Sequence, residues 1–175
     1  NSAVELYAGY GKTVYTALAT VAGNVVGIVA TKGAEDVLCR NCVSKAARFV
    51  RLCDAFSIPV VTLVNTDGFV KSASDDMAGG LREAARLAGT YADATTAKVA
   101  VITGKAVGTN IAADTAKLAA RYAADVCSAA AAVEAGLADM AVPAAGVRAA
   151  VVSALDMLST KRTQRLPKKH GNMSL

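Results

Sequence analysis

The chemistry this sequence offers lies in its backbone more than in its side chains. Directly after the apolar run Ile58–Val64 comes Asn65-Thr66-Asp67-Gly68-Phe69. A glycine in such a turn lets peptide amides approach a ligand closely, and the carboxyl end of an apolar strand is where an α/β sheet holds its sites. The side-chain inventory is thin. His170, the sole histidine, is two residues from Asn172 with no acid nearby, which argues against a hydrolytic triad. Asp75 and Asp76 are adjacent and cannot face each other across a substrate as a glycosidase pair must. Cys39 and Cys42 form a C-x-x-C, the spacing of half a zinc site or of a redox pair; with no second pair to complete a zinc site no metal is expected, and the two read as small apolar residues in a reducing cytosol near a helix start. Gly9-Tyr10-Gly11-Lys12-Thr13 has the end of a phosphate loop, but Leu6 stands where its first glycine is required and no strand precedes it. An enzyme built from these residues works largely through peptide dipoles.

The elements that must position such a site follow from periodicity. From Lys45 to Phe56, Ala46, Phe49, Val50, Cys53 and Phe56 share one helical face, while Lys45, Arg48 and Arg51 share the other, with Asn41 as cap. Ser57 and Pro59 turn this helix into Ile58–Val64, whose unbroken β-branched character predicts a strand covered on both faces. Upstream, two β-rich runs within Val14–Ala30 flank Gly23-Asn24 and predict a hairpin. Downstream, Thr66–Gly80 reads as a polar site loop. A helix from Leu81 to about Ala94 follows, presenting Leu81, Ala84, Ala85, Ala88, Tyr91 and Ala92 inward, and it feeds a second buried strand, Val99–Thr103. Two βαβ steps result. Beyond Gly108 the sequence predicts helices over Asp114–Ala124 and Ala129–Ala135, a short strand Ala138–Val142, and a helix from about Gly146 to Ser159.

A chain of 175 residues suffices for one domain. No apolar run is long enough to span a bilayer, and the N-terminus shows no leader pattern, so a cytoplasmic protein is expected. The net charge of +5 is accounted for by Lys161, Arg162, Arg165, Lys168 and Lys169 in the tail, which leaves the body neutral. A basic tail in a chain without Trp is a poor base-stacking platform, so nucleic acid is not an expected partner.

The stretch Lys45–Phe69, KAARFVRLCDAFSIPVVTLVNTDGF, resembles the signature of the C-terminal half of the biotin-dependent acyl-CoA carboxyltransferases, the subunits of acetyl-, propionyl- and methylmalonyl-CoA carboxylases. The similarity continues through Val99–Gly108, Ala131–Pro143 and Lys168–Leu175. It implies an α/β crotonase-like spiral of βα units, one half-domain over residues 1–175 with 160–175 as a basic tail packing on a neighbouring subunit. It also implies that a segment is missing between Thr109 and Asn110, where such proteins carry further chain. The implied reaction moves a carboxyl group between biotin on a carrier protein and a short acyl-CoA, by carboxylase, transcarboxylase or decarboxylase chemistry. The implied partners are the N-terminal carboxyltransferase domain, a biotin carboxyl carrier protein and further copies of the chain, as a dimer or larger. The family's biotin-side oxyanion hole is a Gly-Ala pair entering a helix, which aligns with Ala84 and Ala85. A helix starting near Leu81 is expected to leave its amides uncommitted through about Ala84. Thr66, Asp67, Gly68, Phe69, Lys105 and Gly108 would line the biotin or substrate pocket, with Asp-Gly-Phe in place of the usual Pro-Gly-Phe. Two alternatives stand beside this reading: a crotonase-type hydratase or isomerase using Glu83 or Glu134 as its carboxylate, and a non-catalytic scaffold subunit, suggested by Ala84 where the family has Gly.

Overall fold

A computed structural model describes residues 2–32, 37–106 and 128–161. The chain divides into two compact units, Asn1–Gly108 with Val152–Leu175, and Thr109–Val151. In the first unit, strands β1 (Val4–Glu5), β2 (Val14–Val21), β3 (Asn24–Thr31), β4 (Val60–Thr66) and β5 (Lys98–Ala106) form one sheet in the order β1-β2-β3-β4-β5. The first three are antiparallel, and β3, β4 and β5 are parallel. Helix α1 (Arg40–Ala55) makes the crossover from β3 to β4, while α2 (Ala73–Met77) and α3 (Gly80–Asp93) make that from β4 to β5. In the second unit α4 (Ala129–Glu134) and a 3-10 turn (Ala144–Gly146) are described, and α5 (Val147–Leu158) runs across the boundary. Among the described residues no helix is long and apolar enough to cross a membrane.

The hairpin and both βαβ steps are present as expected. The β2–β3 turn is Ala22-Gly23, one residue earlier than predicted. Both residues are left-handed (φ 49° and 84°), which suits the right-handed strand twist. Helices α1 and α3 lie on the same face of the sheet: Val60 of β4 joins the core of Phe49, Val50 and Cys53 from α1, and two residues on, the Thr62 hydroxyl meets that of Tyr91 from α3 at 2.8 Å. Gly27 lets α1 approach β3 so closely that an added Cβ would collide with the Cys53 sulfur.

Several expectations need correction. The N-cap of α1 is Cys39, whose sulfur accepts from the Cys42 amide at 3.4 Å, so Asn41 lies inside the helix. Lys45, assigned to the solvent face, is 1% exposed, with its Nζ donating to the Val14 carbonyl at 2.7 Å. The inward stripe of α3 runs through Glu83, Leu87, Thr90 and Tyr91, and Leu81, Ala85, Ala88 and Ala92 are exposed. Alanine packs on either side of a helix, so the alanine spacing gave no direction. Among the described residues β5 is the edge strand of the sheet, and it is exposed from Ile102 onward instead of buried. Residues 138–142 form no strand. Gly108, the Thr109–Asn110 junction, the Asp114–Ala124 helix and the tail from Arg162 lie outside the described residues.

Candidate functional site

The bend after β4 is built from its own polar atoms. Thr66 is buried, and its hydroxyl accepts from the Gly68 amide at 3.2 Å, closing a tight turn in which Gly68 takes φ 103°. That φ disfavours any residue with a Cβ. The Gly68 carbonyl accepts from the Leu38 amide at 2.7 Å, and the Leu38 carbonyl from the Val70 amide at 3.1 Å, so Phe69 bridges to Leu38 in parallel. The residue before the α1 cap therefore clamps the bend.

On its other side the bend meets β5. Between Val64 and Thr66 the β4–β5 register shifts, from Val64 opposite Ile102 to Thr66 opposite Ala106. The Asn65 side chain fills the break, its Oδ1 accepting from the Lys105 amide at 2.9 Å. Gly104 makes room for it, since a Cβ there would run into the Asn65 amide group. The Lys105 ammonium then pairs with Asp67 at 3.1 Å. The structure thus brings together Thr66, Asp67, Gly68, Phe69 and Lys105. An exposed pair of this kind contributes under about 1 kcal/mol, so its effect is placement.

Ala84 and Ala85 are not in this group. Helix α3 begins at Gly80 after the left-handed Gly79, and Glu83 already donates to the Gly79 carbonyl at 3.0 Å. The amides ahead of the helical ladder are those of Gly80, Leu81 and Arg82, so Ala84 and Ala85 lie within the ladder, contrary to the expected amide count. The start of α3 instead opens on a cavity of 260 Å³ lined by Tyr10, Arg40, Asn41, Ser44, Ala78, Arg82 and Glu83. Tyr10 donates its hydroxyl to Asn41 at 3.1 Å, and Arg40 donates to the Ala78 carbonyl at 2.6 Å, tying the starts of α1 and α3 together.

Sequence reasoning missed Tyr10, Arg40, Asn41 and Arg82. The available signal was the Gly-Tyr-Gly-Lys-Thr segment set aside as a false phosphate loop. Gly11, at φ 56°, packs on the backbone of Asn41 and Cys42, where a Cβ would come within 2.9 Å, and Thr13 bonds to Cys42. Glu83 is buried in an ion pair with Arg86 at 3.5 Å, and Glu134 is exposed at the end of α4.

The family described as carboxyl transferase domain matches residues 1–133. The chain is similar to the methylmalonyl-CoA decarboxylase subunit alpha of Veillonella parvula, 31% identical over 212 positions and covering 98% of the chain and 41% of that protein. It is also similar to the mitochondrial propionyl-CoA carboxylase beta chain of Homo sapiens, 32% identical over 209 positions, covering 98% and 39%. In structure it is similar to transcarboxylase 12S with hydrolysed methylmalonyl-coenzyme A bound, with TM-score 0.86 and 30% identity over 97% of this chain and 40% of that one. The chain spans about 40% of the length of these relatives. Both sequence alignments are longer than the 175 residues of this chain, so these relatives carry residues that it lacks.

Proposed function

The chain belongs to the carboxyl transferase domain family, with that family's crotonase-like α/β fold, and we propose that it is the biotin-facing, C-terminal half of a carboxyltransferase acting between carboxybiotin and a short acyl-CoA. What supports this most is the glycine-centred bend at the carboxyl end of β4, clamped by Leu38 and bordered by Lys105, in a chain similar over nearly its whole length to carboxyltransferases. On this reading the thioester is held mainly by an N-terminal half outside this chain. A biotin carboxyl carrier protein and further copies of the chain complete the assembly, in the cytoplasm.

On this reading the biotin ring sits at the start of α3, in a cavity that none of Thr66, Asp67, Gly68, Phe69 or Lys105 lines. The amides of Gly80, Leu81 and Arg82 point along the positive end of α3 beside a cavity that also offers Tyr10, Arg40 and Asn41 as polar neighbours. Bound carboxybiotin supplies the carboxyl group. The chain's own contribution is preorganised N–H donors, each stabilising developing negative charge by about 3 kcal/mol. Ala84 and Ala85, the pair assigned by resemblance, form the turn behind these donors. Lys105, held by Asp67, adds a positive charge at the mouth of the bend.

The test has two arms. Transfer of labelled carboxyl from carboxybiotin to propionyl-CoA is measured with the chain alone and with the thioester-binding half of a relative added. Negligible turnover alone and restored turnover in the mixture are expected; full turnover by the isolated chain would contradict the half-site reading. In the second arm Leu81→Pro deletes one amide at a helix position that tolerates proline, behind a glycine with no Cβ for the ring to meet. A fall in kcat of about 100-fold at little-changed KM is expected, and an unchanged kcat removes the start of α3 from the mechanism.

A further inference from the structure

The C-x-x-C at the start of α1 is not used by the mechanism above, and its geometry is unusual for two inert thiols. Cys39 is the extended N-cap residue (φ −81°, ψ 163°) and Cys42 sits in the first turn, so their sulfurs face each other at 2.7 Å. A disulfide bond is about 2.05 Å long, so closure needs roughly 0.7 Å of movement. Cys42 is 1% exposed and accepts the Thr13 hydroxyl at 2.8 Å, while Cys39 is half-buried and reachable from solvent. We propose that Cys39 and Cys42 form a reversible redox-active dithiol, a covalent modification site that closes to an intramolecular disulfide by exchange with a low-molecular-weight disulfide.

The proton affinities agree with this geometry. Burial pushes the Cys42 thiol up, but hydrogen bonds from Cys39 and Thr13 outweigh it, and Cys42 titrates below its ordinary value. Burial and the hydrogen bond to Cys42 hold Cys39 above its ordinary value, so first attack on an outside disulfide falls to Cys39 by its access to solvent and not by its acidity. In the first step the Cys39 sulfur attacks one sulfur of the external disulfide. The external S–S bond breaks, a mixed disulfide forms on Cys39, and the departing thiolate takes up the Cys39 proton. In the second step the Cys42 sulfur attacks Cys39, forming the internal bond and expelling the second external thiolate, which takes up the Cys42 proton. Two protein thiols and one external disulfide become one protein disulfide and two external thiols. Cys53, buried in the apolar core with its thiol pushed up to about 11, is the internal control. Leu38, next to Cys39, clamps the Gly68 bend, so closure would act on the candidate site; that consequence rests on the carboxyltransferase reading, and the dithiol itself does not.

Trypsin separates the two cysteines by cutting after Arg40, which makes the test direct. The native full chain is incubated with oxidised glutathione, alkylated, and digested without reductant after isolation of the monomer band. Peptides 33–40 and 41–45 should appear joined, come apart on reduction, and leave Cys53 free. A lasting glutathione adduct on Cys39 beside an alkylated Cys42, a bridge to Cys53 or Cys127, or no oxidation under conditions that modify an exposed cysteine would each overturn the proposal. Cys42→Ser should accumulate the Cys39 adduct; an unmodified Cys39 in that variant would overturn the order of attack. These readouts are covalent, so they stand even where the transfer assay fails.

Discussion

Lys45 carries one of the larger energetic stakes of any single side chain here. It is buried beneath the hairpin, donating to Val14 with the Glu5 carboxylate at 4.0 Å. Lys45→Ala would leave the buried Val14 carbonyl without its donor and the partly exposed Glu5 carboxylate without its cation, and a loss of about 2 kcal/mol in urea unfolding is expected. Burial holds the lysine below its ordinary pKa. The folded state therefore binds fewer protons than the unfolded chain between that lowered value and 10.5, and this residue's contribution to stability rises with pH across that window. Cys53 has the opposite sign. Its thiol, raised to about 11 by burial, stays protonated while the unfolded thiol ionises from 9.0, so its stabilising share is present below pH 9 and lost as pH rises toward 11. Thermal melts of wild type and Cys53→Ala across this range should diverge least at pH 11, the wild-type advantage shrinking by roughly 2–3 kcal/mol. A constant gap would show that the thiol titrates normally.

At the scale of elements, the end of α1 shows how local chemistry sets an exit. Ser57 takes φ 54°, the Ser57 amide returns to the Asp54 carbonyl, and the Ile58 amide to that of Cys53 at 2.8 Å. This is a Schellman closure with serine where glycine is usual. Ser57→Gly removes the Cβ strain and should raise stability by about 1 kcal/mol; a lower urea midpoint would show that the serine is needed. The β4–β5 break depends in the same local way on Asn65. Asn65→Ala frees the Lys105 amide and should cost about 1 kcal/mol in urea unfolding. In an amide NMR spectrum the loss should appear first at Lys105 and Asp67. A shift spread evenly over the sheet would mean that Asn65 does not pin the register.

For the whole molecule, stability concentrates where α1 meets the sheet. The core cluster joins Val14, Val29, Cys42, Ala46, Phe49, Val50, Cys53, Val60 and Ala94, whereas β5 is exposed from Ile102 onward. Native-state hydrogen exchange should be slowest in α1, β3 and the start of β4, and orders of magnitude faster from Thr103 to Ala106; equal protection would place a second core against β5. Much of this architecture was legible in the sequence. The β-branched run after Pro59, the helical spacing of Ala46, Phe49, Val50 and Cys53, and the Asn-Thr-Asp-Gly turn fixed the β4 bend, because strand, helix and turn preferences act over a few neighbouring residues. Only the tertiary structure decided that Lys45 is buried, that α3 turns Glu83 inward along with the expected Tyr91 while Ala85, Ala88 and Ala92 face out, that the Gly9–Thr13 loop packs on the start of α1, and that Cys39 meets Cys42. Those outcomes depend on which surfaces distant segments present to one another, and an alanine-rich helix or a long lysine stem is compatible with more than one partner until the packing chooses.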